Sequence, residues 1–321
     1  MRDLRALPKA HLHLHLAGAM QPGTLRELAG RYGVPVPEHD GRGVRDWDEF
    51  QQLYDAARDV IRTPADIARV LTEAAAADAA DDCGWLELQV DPTSYAPVIG
   101  GLRETLEAVL VAAAAAPIPV GVVVASSWAR TPEHAEDLAR LAASYAGGGV
   151  VGFGLSNDER RGAVAGFATA FRIAADAGLL ATPHAGFCTP ASHVRDCVEL
   201  LGAARIGHGT SAAHDPAVMA LLAERRVALE VCPTSYQPFG VHELDAVPVL
   251  PLLDAGVRVT LATDDPLLFG VGLAGQYGIA RDRFGLTDAQ LAAVAVHGIE
   301  ASAAPDPVRA GLLAGVDRWL R

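Results

Sequence analysis

Cysteine is scarce in this chain: four in 321 residues, Cys83, Cys188, Cys197 and Cys232. They lie far apart and form no CxxC pair, so reduced thiols of a cytoplasmic protein are expected rather than a disulfide framework. Positive charge is short as well. Lys and Arg number 26 against 39 Asp and Glu, a formal net charge of −13, which argues against a nucleic-acid groove or an anionic membrane surface as partner. Such a charge would not concentrate a polyanion, so a neutral or cationic small molecule is the expected ligand. Long apolar runs are also missing. No stretch of 18 uninterrupted apolar residues occurs, and MRDLRALPKAHLHLHL has no sustained apolar core before its histidines. Neither a membrane helix nor a signal peptide is therefore expected. Internal repeats are absent, and the alanine-rich run 74–80, broken by Asp78, fits a helical pattern.

What is present is an alternation. Short β-rich apolar runs recur at roughly 9–16, 84–90, 119–126, 149–156, 179–185, 205–209, 227–233 and 258–265, eight in all. Alanine- and leucine-rich segments separate them, some opening on helix-start signals such as Thr131-Pro132-Glu133 and Thr189-Pro190. Strands alternating with helices imply parallel pairing through right-handed crossovers. Eight such units without a linker predict one (β/α)₈ TIM barrel spanning 1–321, a fold that typically needs about 250 residues plus insertions. More than 60 residues separate the first two strands. The segments Pro22 to Arg31, Trp47 to Ile61 and Pro64 to Asp82 predict two or three extra helices over the C-terminal mouth, with Pro35 to Gly43 as a mobile loop.

Polar residues fall where such a barrel keeps its chemistry. The first strand ends in His11-Leu12-His13-Leu14-His15, whose alternation would point all three imidazoles inward. Thr182-Pro183-His184-Ala185-Gly186 ends the fifth, Gly207-His208-Gly209 the sixth, and Thr263-Asp264-Asp265-Pro266 the eighth. Imidazoles and a carboxylate converging on one rim form a site suited to Zn²⁺. A metal with one position left for water would bring that water's pKa toward neutrality, and a further His or Asp could take the proton. His11 alone reads as a hydrogen-bonded core residue. Asp265-Pro266 also reads as a helix cap, Glu230 as a supporting carboxylate, and Cys188 and Cys232 as packed thiols. His39, His134, His193, His214 and His242 read as solvated surface residues.

With these residues assembled, the sequence resembles the adenosine deaminase family of the metal-dependent amidohydrolases. The segments that carry the resemblance are LPKAHLHLHLAGAMQPGTL, VVGFGLSNDE, TPHAG, RIGHGT, LEVCPTS and LATDDPLLFG, in the family's order across residues 7 to 270. The resemblance implies one zinc held by His13, His15, His184 and Asp264. It implies His208 as the base on the metal-bound water, aided by Asp264, and Asp265 as a hydrogen-bond partner of the substrate.

Four positions depart from the family pattern. Phe187 stands where the His-Ala-Gly-Glu motif carries the glutamate that protonates a ring nitrogen. Phenylalanine offers only an apolar or stacking surface there. Ala17 replaces the acid of the HL(D/E)G motif, His11 a glutamate that precedes HLHL, and Asn157 the glycine of LAGDE. Asn157, Phe187 and Ala17 are thus expected to line a rebuilt substrate pocket beside Asp265. The expectation is a zinc-dependent aminohydrolase that releases ammonia from an aminated heterocycle or nucleoside-like molecule other than adenosine. Its ring proton would come from another residue, with Asp158, Glu159 and Cys188 as candidates, or be unnecessary for that ring. Two alternatives stand beside it: an ordinary adenosine deaminase whose acid comes from elsewhere, or a non-catalytic ligand-binding homologue.

Overall fold

The computed structural model describes residues 1–37 and 46–321. His39 and most of the Pro35 to Gly43 segment therefore lie outside the described residues. The strands are β1 (Lys9–His15), β2 (Cys83–Val90), β3 (Val120–Ser127), β4 (Val150–Ser156), β5 (Leu180–Ala181), β6 (His184–Ala185), β7 (Arg205–His208), β8 (Ala228–Val231) and β9 (Arg258–Leu261). All pair in parallel, β1 to β5 in one run and β6 to β9 in another. The fifth barrel strand is split into β5 and β6 at Thr182-Pro183, because proline has no N–H to give to the ladder. Thr182 N donates to Phe153 O at 2.9 Å and Gly207 N to Pro183 O at 3.0 Å, so both neighbours still hold the break. The last strand closes on the first where Asp264 N donates to His13 O and His15 N to Asp264 O, each at 3.1 Å. The eight-stranded α/β barrel is complete.

Among the described residues, three helices fill the interval after β1: α1 (Pro22–Tyr32), α2 (Trp47–Asp59) and α3 (Pro64–Ala80). Thr63 and Asp66 start α3 with reciprocal bonds, Asp66 N to Thr63 Oγ1 at 3.2 Å and Thr63 N to Asp66 Oδ2 at 2.9 Å. The remaining helices are α4 (Ala96–Ile99), α5 (Leu102–Ala114), α6 (Pro132–Ala143), α7 (Ala168–Asp176), α8 (Ala191–Leu201), α9 (Pro216–Arg225), α10 (Val249–Asp254), α11 (Pro266–Phe269), α12 (Leu273–Asp282), α13 (Asp288–Ala301) and α14 (Asp306–Leu320). Thr131 caps α6 as its sequence predicts, its hydroxyl accepting from His134 N. Thr189 does not cap α8. Its hydroxyl accepts from Gly186 N instead, and Pro190 takes the cap position. Among the described residues, no helix is long and apolar enough to cross a membrane.

Two buried cations sit away from the mouth. Arg205, at the start of β7, donates to Glu230 Oε1 at 2.6 Å, to Ala301 O at 2.8 Å and to Glu87 Oε2. Glu87 Oε1 also accepts from Trp85 Nε1 and Ala303 N. Lys9, the chain's single lysine, donates to the carbonyls of Leu4, Leu7 and Asp81 at 2.5–2.7 Å. Every arm of each cation is therefore matched, as a buried charge requires.

His11 departs from the expected alternation. The register with β2 shifts between His11 and Leu14, as at a bulge, so His11 and His13 no longer face the same way. His11 instead meets Asp78 on α3, Nδ1 to Oδ2 at 2.8 Å. Thr263 N donates to His11 Nε2 at 3.1 Å, which makes Nε2 the acceptor and Nδ1–H the donor.

Candidate metal and active site

His13, His15, His184 and Asp264 bring one donor atom each to within 4.8 Å of one another. The Nε2 atoms of His13 and His184 are 2.9 Å apart, and those of His15 and His184 3.2 Å. Asp264 Oδ1 lies 3.3 Å from His13 Nε2 and 3.2 Å from His15 Nε2. The opposite ring atoms are already engaged. His13 Nδ1–H donates to Glu230 Oε2 at 3.0 Å, and His184 Nδ1–H donates to Leu155 O at 2.7 Å. In neutral rings this leaves two Nε2 lone pairs facing each other, an arrangement that needs a cation between them. Without a metal only a proton can serve. Burial opposes charge on His13, yet hydrogen bonds to Asp264 and Glu230 outweigh it and hold its pKa at about 10. Burial pushes His184 well down, assisted by the neighbouring imidazoles. Burial also works against ionisation of Asp264, but the bonds to His13 and His15 hold it well below the usual carboxylate range. A buried N₃O set around one point that favours positive charge fits a divalent metal of the zinc type.

The backbone is bent to make this cluster. His208 and Asp264 adopt left-handed φ of 68° and 60°, and Asn157, just past β4, adopts 72°. Such conformations cost of the order of 1–3 kcal/mol each and collect at functional sites. Two glycines make room. A Cβ on Gly207 would lie 2.9 Å from His13 Cε1 and 3.1 Å from His184 Cγ, and one on Gly18 only 1.8 Å from Asp265 Oδ1.

Above the cluster opens a cavity of about 730 Å³. His15, His184, His208, Asp264 and Asp265 form its floor, and Asn157 and Phe187 line its side. Ala17 does not reach it. It is fully buried in the core, in the turn that follows β1, where Leu16 N is tied to Gln89 O. His208 Nε2 is 3.9 Å from Asp264 Oδ2, and its Nδ1 is buried without a partner. Burial lowers its pKa to about 3, so the ring is neutral. Burial, then the adjacent Asp264 carboxylate, raises Asp265 well above the usual range, and its Oδ1 is likewise unpartnered.

Sequence reasoning missed the aromatic wall. Phe187 stands 4.7 Å from the His208 ring, 5.6 Å from Tyr236 and 5.5 Å from Phe239, centroid to centroid. Phe50 of α2 stacks on Tyr54 and Phe269, so the inserted helix closes one side of the cavity. These residues come from four separate segments, and no local pattern joins them. Other expectations change too. Cys188 is exposed at the cavity edge, although Cys232 is buried as expected. His193 is buried against Trp128 rather than solvated, and His134 and His242 bond to Thr93 and Thr210.

The adenosine deaminase family model matches residues 8–319. The chain belongs to the adenosine deaminase family. A "putative adenosine/adenine deaminase" of Streptomyces virginiae is 51% identical over 333 residues, covering 99% of this chain and 98% of its own. An aminodeoxyfutalosine deaminase of Streptomyces coelicolor is 38% identical, covering 99% and 87%. The crystal structure of an adenine deaminase from Arthrobacter aurescens is 28% identical with a TM-score of 0.87, covering 98% of this chain and 99% of the other. As a member of this family, the protein is a hydrolase of the deaminase type, and its barrel is the family's barrel.

Proposed function

We propose that this protein is a metal-dependent aminohydrolase that exchanges the exocyclic amine of an aminopurine, free or nucleoside-like, for oxygen and releases ammonia. The carrying observation is the His13, His15, His184 and Asp264 cluster on the floor of an open cavity, with His208 beside it. These four residues would hold the ion, and zinc suits the donor set. When bound, such an ion supplies Lewis acidity that makes water a nucleophile at neutral pH. His208 accepts the proton of the attacking water and passes it to the leaving amine, with Asp264 orienting the same water. Asp265, its carboxyl pushed above the usual range by burial and then by Asp264, would offer an O–H to a ring nitrogen of the substrate.

Relatives named for adenosine, adenine and aminodeoxyfutalosine support an aminated purine as the substrate class. The cavity is larger than a bare base needs, so a ring substituent can be accommodated. Phe187 presents no proton to the ring, and adenosine itself is expected to be a poor substrate. The test is ammonia release from adenine, adenosine, deoxyadenosine and a wider set of substituted aminopurines, with His208→Ala as control. His208-dependent turnover of at least one compound supports the reading. Silence across the panel from metal-replete protein contradicts it.

A further inference from the structure

Adding water across an amine-bearing ring carbon places negative charge on the adjacent ring nitrogen, which needs a proton donor. Few groups in the cavity can serve. Asp265 is committed to another ring nitrogen in the reading above, His208 is occupied as base, and Asp158 is held ionised by a two-point pair with Arg160. Partial burial at the cavity edge, then the neighbouring Glu159, raises the Cys188 thiol to about 11, too weak an acid to protonate a ring nitrogen efficiently. Glu159 differs from all of these. It lies in the short turn after β4, is 3% exposed, and borders the cavity. One oxygen, Oε1, accepts from Thr189 N at 3.0 Å and from Cys188 N, the backbone immediately after Phe187. The other, Oε2, is buried and has no partner. No cation is paired with it among the described residues. Its nearest titratable neighbours are Cys188, Cys197, Tyr236 and the Asp158-bound Arg160.

We propose that Glu159 is the carboxylic acid that protonates the substrate ring, through the Oε2 that its backbone anchor leaves free. Burial favours the protonated form, against the pull of the Cys188, Thr189 and Phe187 amides and the Thr189 hydroxyl. The inference rests on the aminohydrolase reading but not on adenosine as substrate. The step balances as follows. Water oxygen bonds to the amine-bearing carbon and its first proton goes to His208, while the Glu159 proton goes to the ring nitrogen. The carbon–nitrogen bond then breaks, the amine leaving as ammonia with the His208 proton. The remaining hydroxyl proton departs through solvent and restores the Glu159 carboxyl.

Glu159→Gln keeps an acceptor oxygen for the two amides and removes the acid. On the best aminopurine of the panel it is expected to lower kcat about 10²–10⁴-fold, with KM and Tm nearly unchanged. Adding Phe187→Glu to that variant is expected to recover part of the lost kcat. A second readout needs no turnover. The infrared difference between wild type and Glu159→Gln at pH 7 should contain the carbonyl stretch of a protonated carboxylic acid. Unchanged kcat, a kcat loss that merely follows a fall in Tm, or absence of that band would overturn the assignment. Wild-type silence on every aminopurine, with the band present, would instead overturn the aminohydrolase reading and leave a buried acid of other purpose.

Discussion

Strand β7 begins and ends in opposite kinds of buried polar site. At its start, Arg205 is surrounded by Glu87, Glu230 and the Ala301 carbonyl, and nothing is left over. At its end, His208 faces the Asp264 cluster, where His208 Nδ1, Asp265 Oδ1 and Glu159 Oε2 are buried without partners. Both regions are buried, and an unmatched buried polar atom costs about 1–3 kcal/mol. On the function proposed above, the matched cluster belongs to the architecture and the unmatched one to a site completed by ligands. Glu230 joins the two. Its Oε1 accepts from Arg205 and its Oε2 from His13. Burial works against its charge, but Arg205 and His13 hold it below the usual range. A charge fixed by the framework thus orients the imidazole that faces the metal position.

That contrast can be broken from either end. The largest effect is expected at the unmatched end, where His208→Ala should lower kcat about 10²–10⁴-fold while leaving urea unfolding close to wild type. Breaking the matched end should act first on stability. Arg205→Met strands two buried carboxylates and is expected to cost about 3–5 kcal/mol in urea unfolding. A loss below 1 kcal/mol would mean that the cluster is not structural in the sense argued. Lys9 gives a smaller and pH-dependent effect. Burial lowers its pKa to about 8, against the pull of Asp81 and its neighbours, while the unfolded chain keeps 10.5. Between those values the unfolded chain binds the extra proton, so unfolding takes up a proton and stability rises with pH. The stability of wild type relative to Lys9→Met should therefore grow between pH 8 and 10.5, by roughly 3 kcal/mol at most. The smallest effect probes packing at the junction. Gly207→Ala crowds His13 and His184 and is expected to weaken metal affinity about 10–100-fold, read by competition with a chelating dye.

Strand positions were legible because β-rich runs and helix starts are local signals, and eight of them imply a closed barrel. His13, His15, His184, His208 and Asp264 were legible because they sit at strand ends, and the structure brings them to one rim. The orientation of His11 was not, since a register shift against β2 reverses which face a residue takes without any mark in its own strand. The β5–β6 break is visible afterward in Pro183, although one proline does not say whether a strand ends or only pauses. The Arg205 cluster joins residues 87, 205, 230 and 301, and the aromatic wall joins 50, 187, 239 and 269. Such contacts depend on how the barrel closes, so spacing along the chain carries no trace of them. Glu159 was one of three candidate acids in the sequence. Only the anchoring of Oε1 and the isolation of Oε2 separate it from Asp158 and Cys188.

The most direct test of the account is to titrate zinc into metal-free protein while following ammonia release from the best aminopurine substrate. Turnover should be absent at the start, rise in proportion to added zinc and level off at one ion per chain, and His184→Ala should abolish the rise. Full turnover in the metal-free protein, or a rise that His184→Ala leaves intact, would contradict the claim that the unmatched cluster at the barrel mouth is a catalytic metal site.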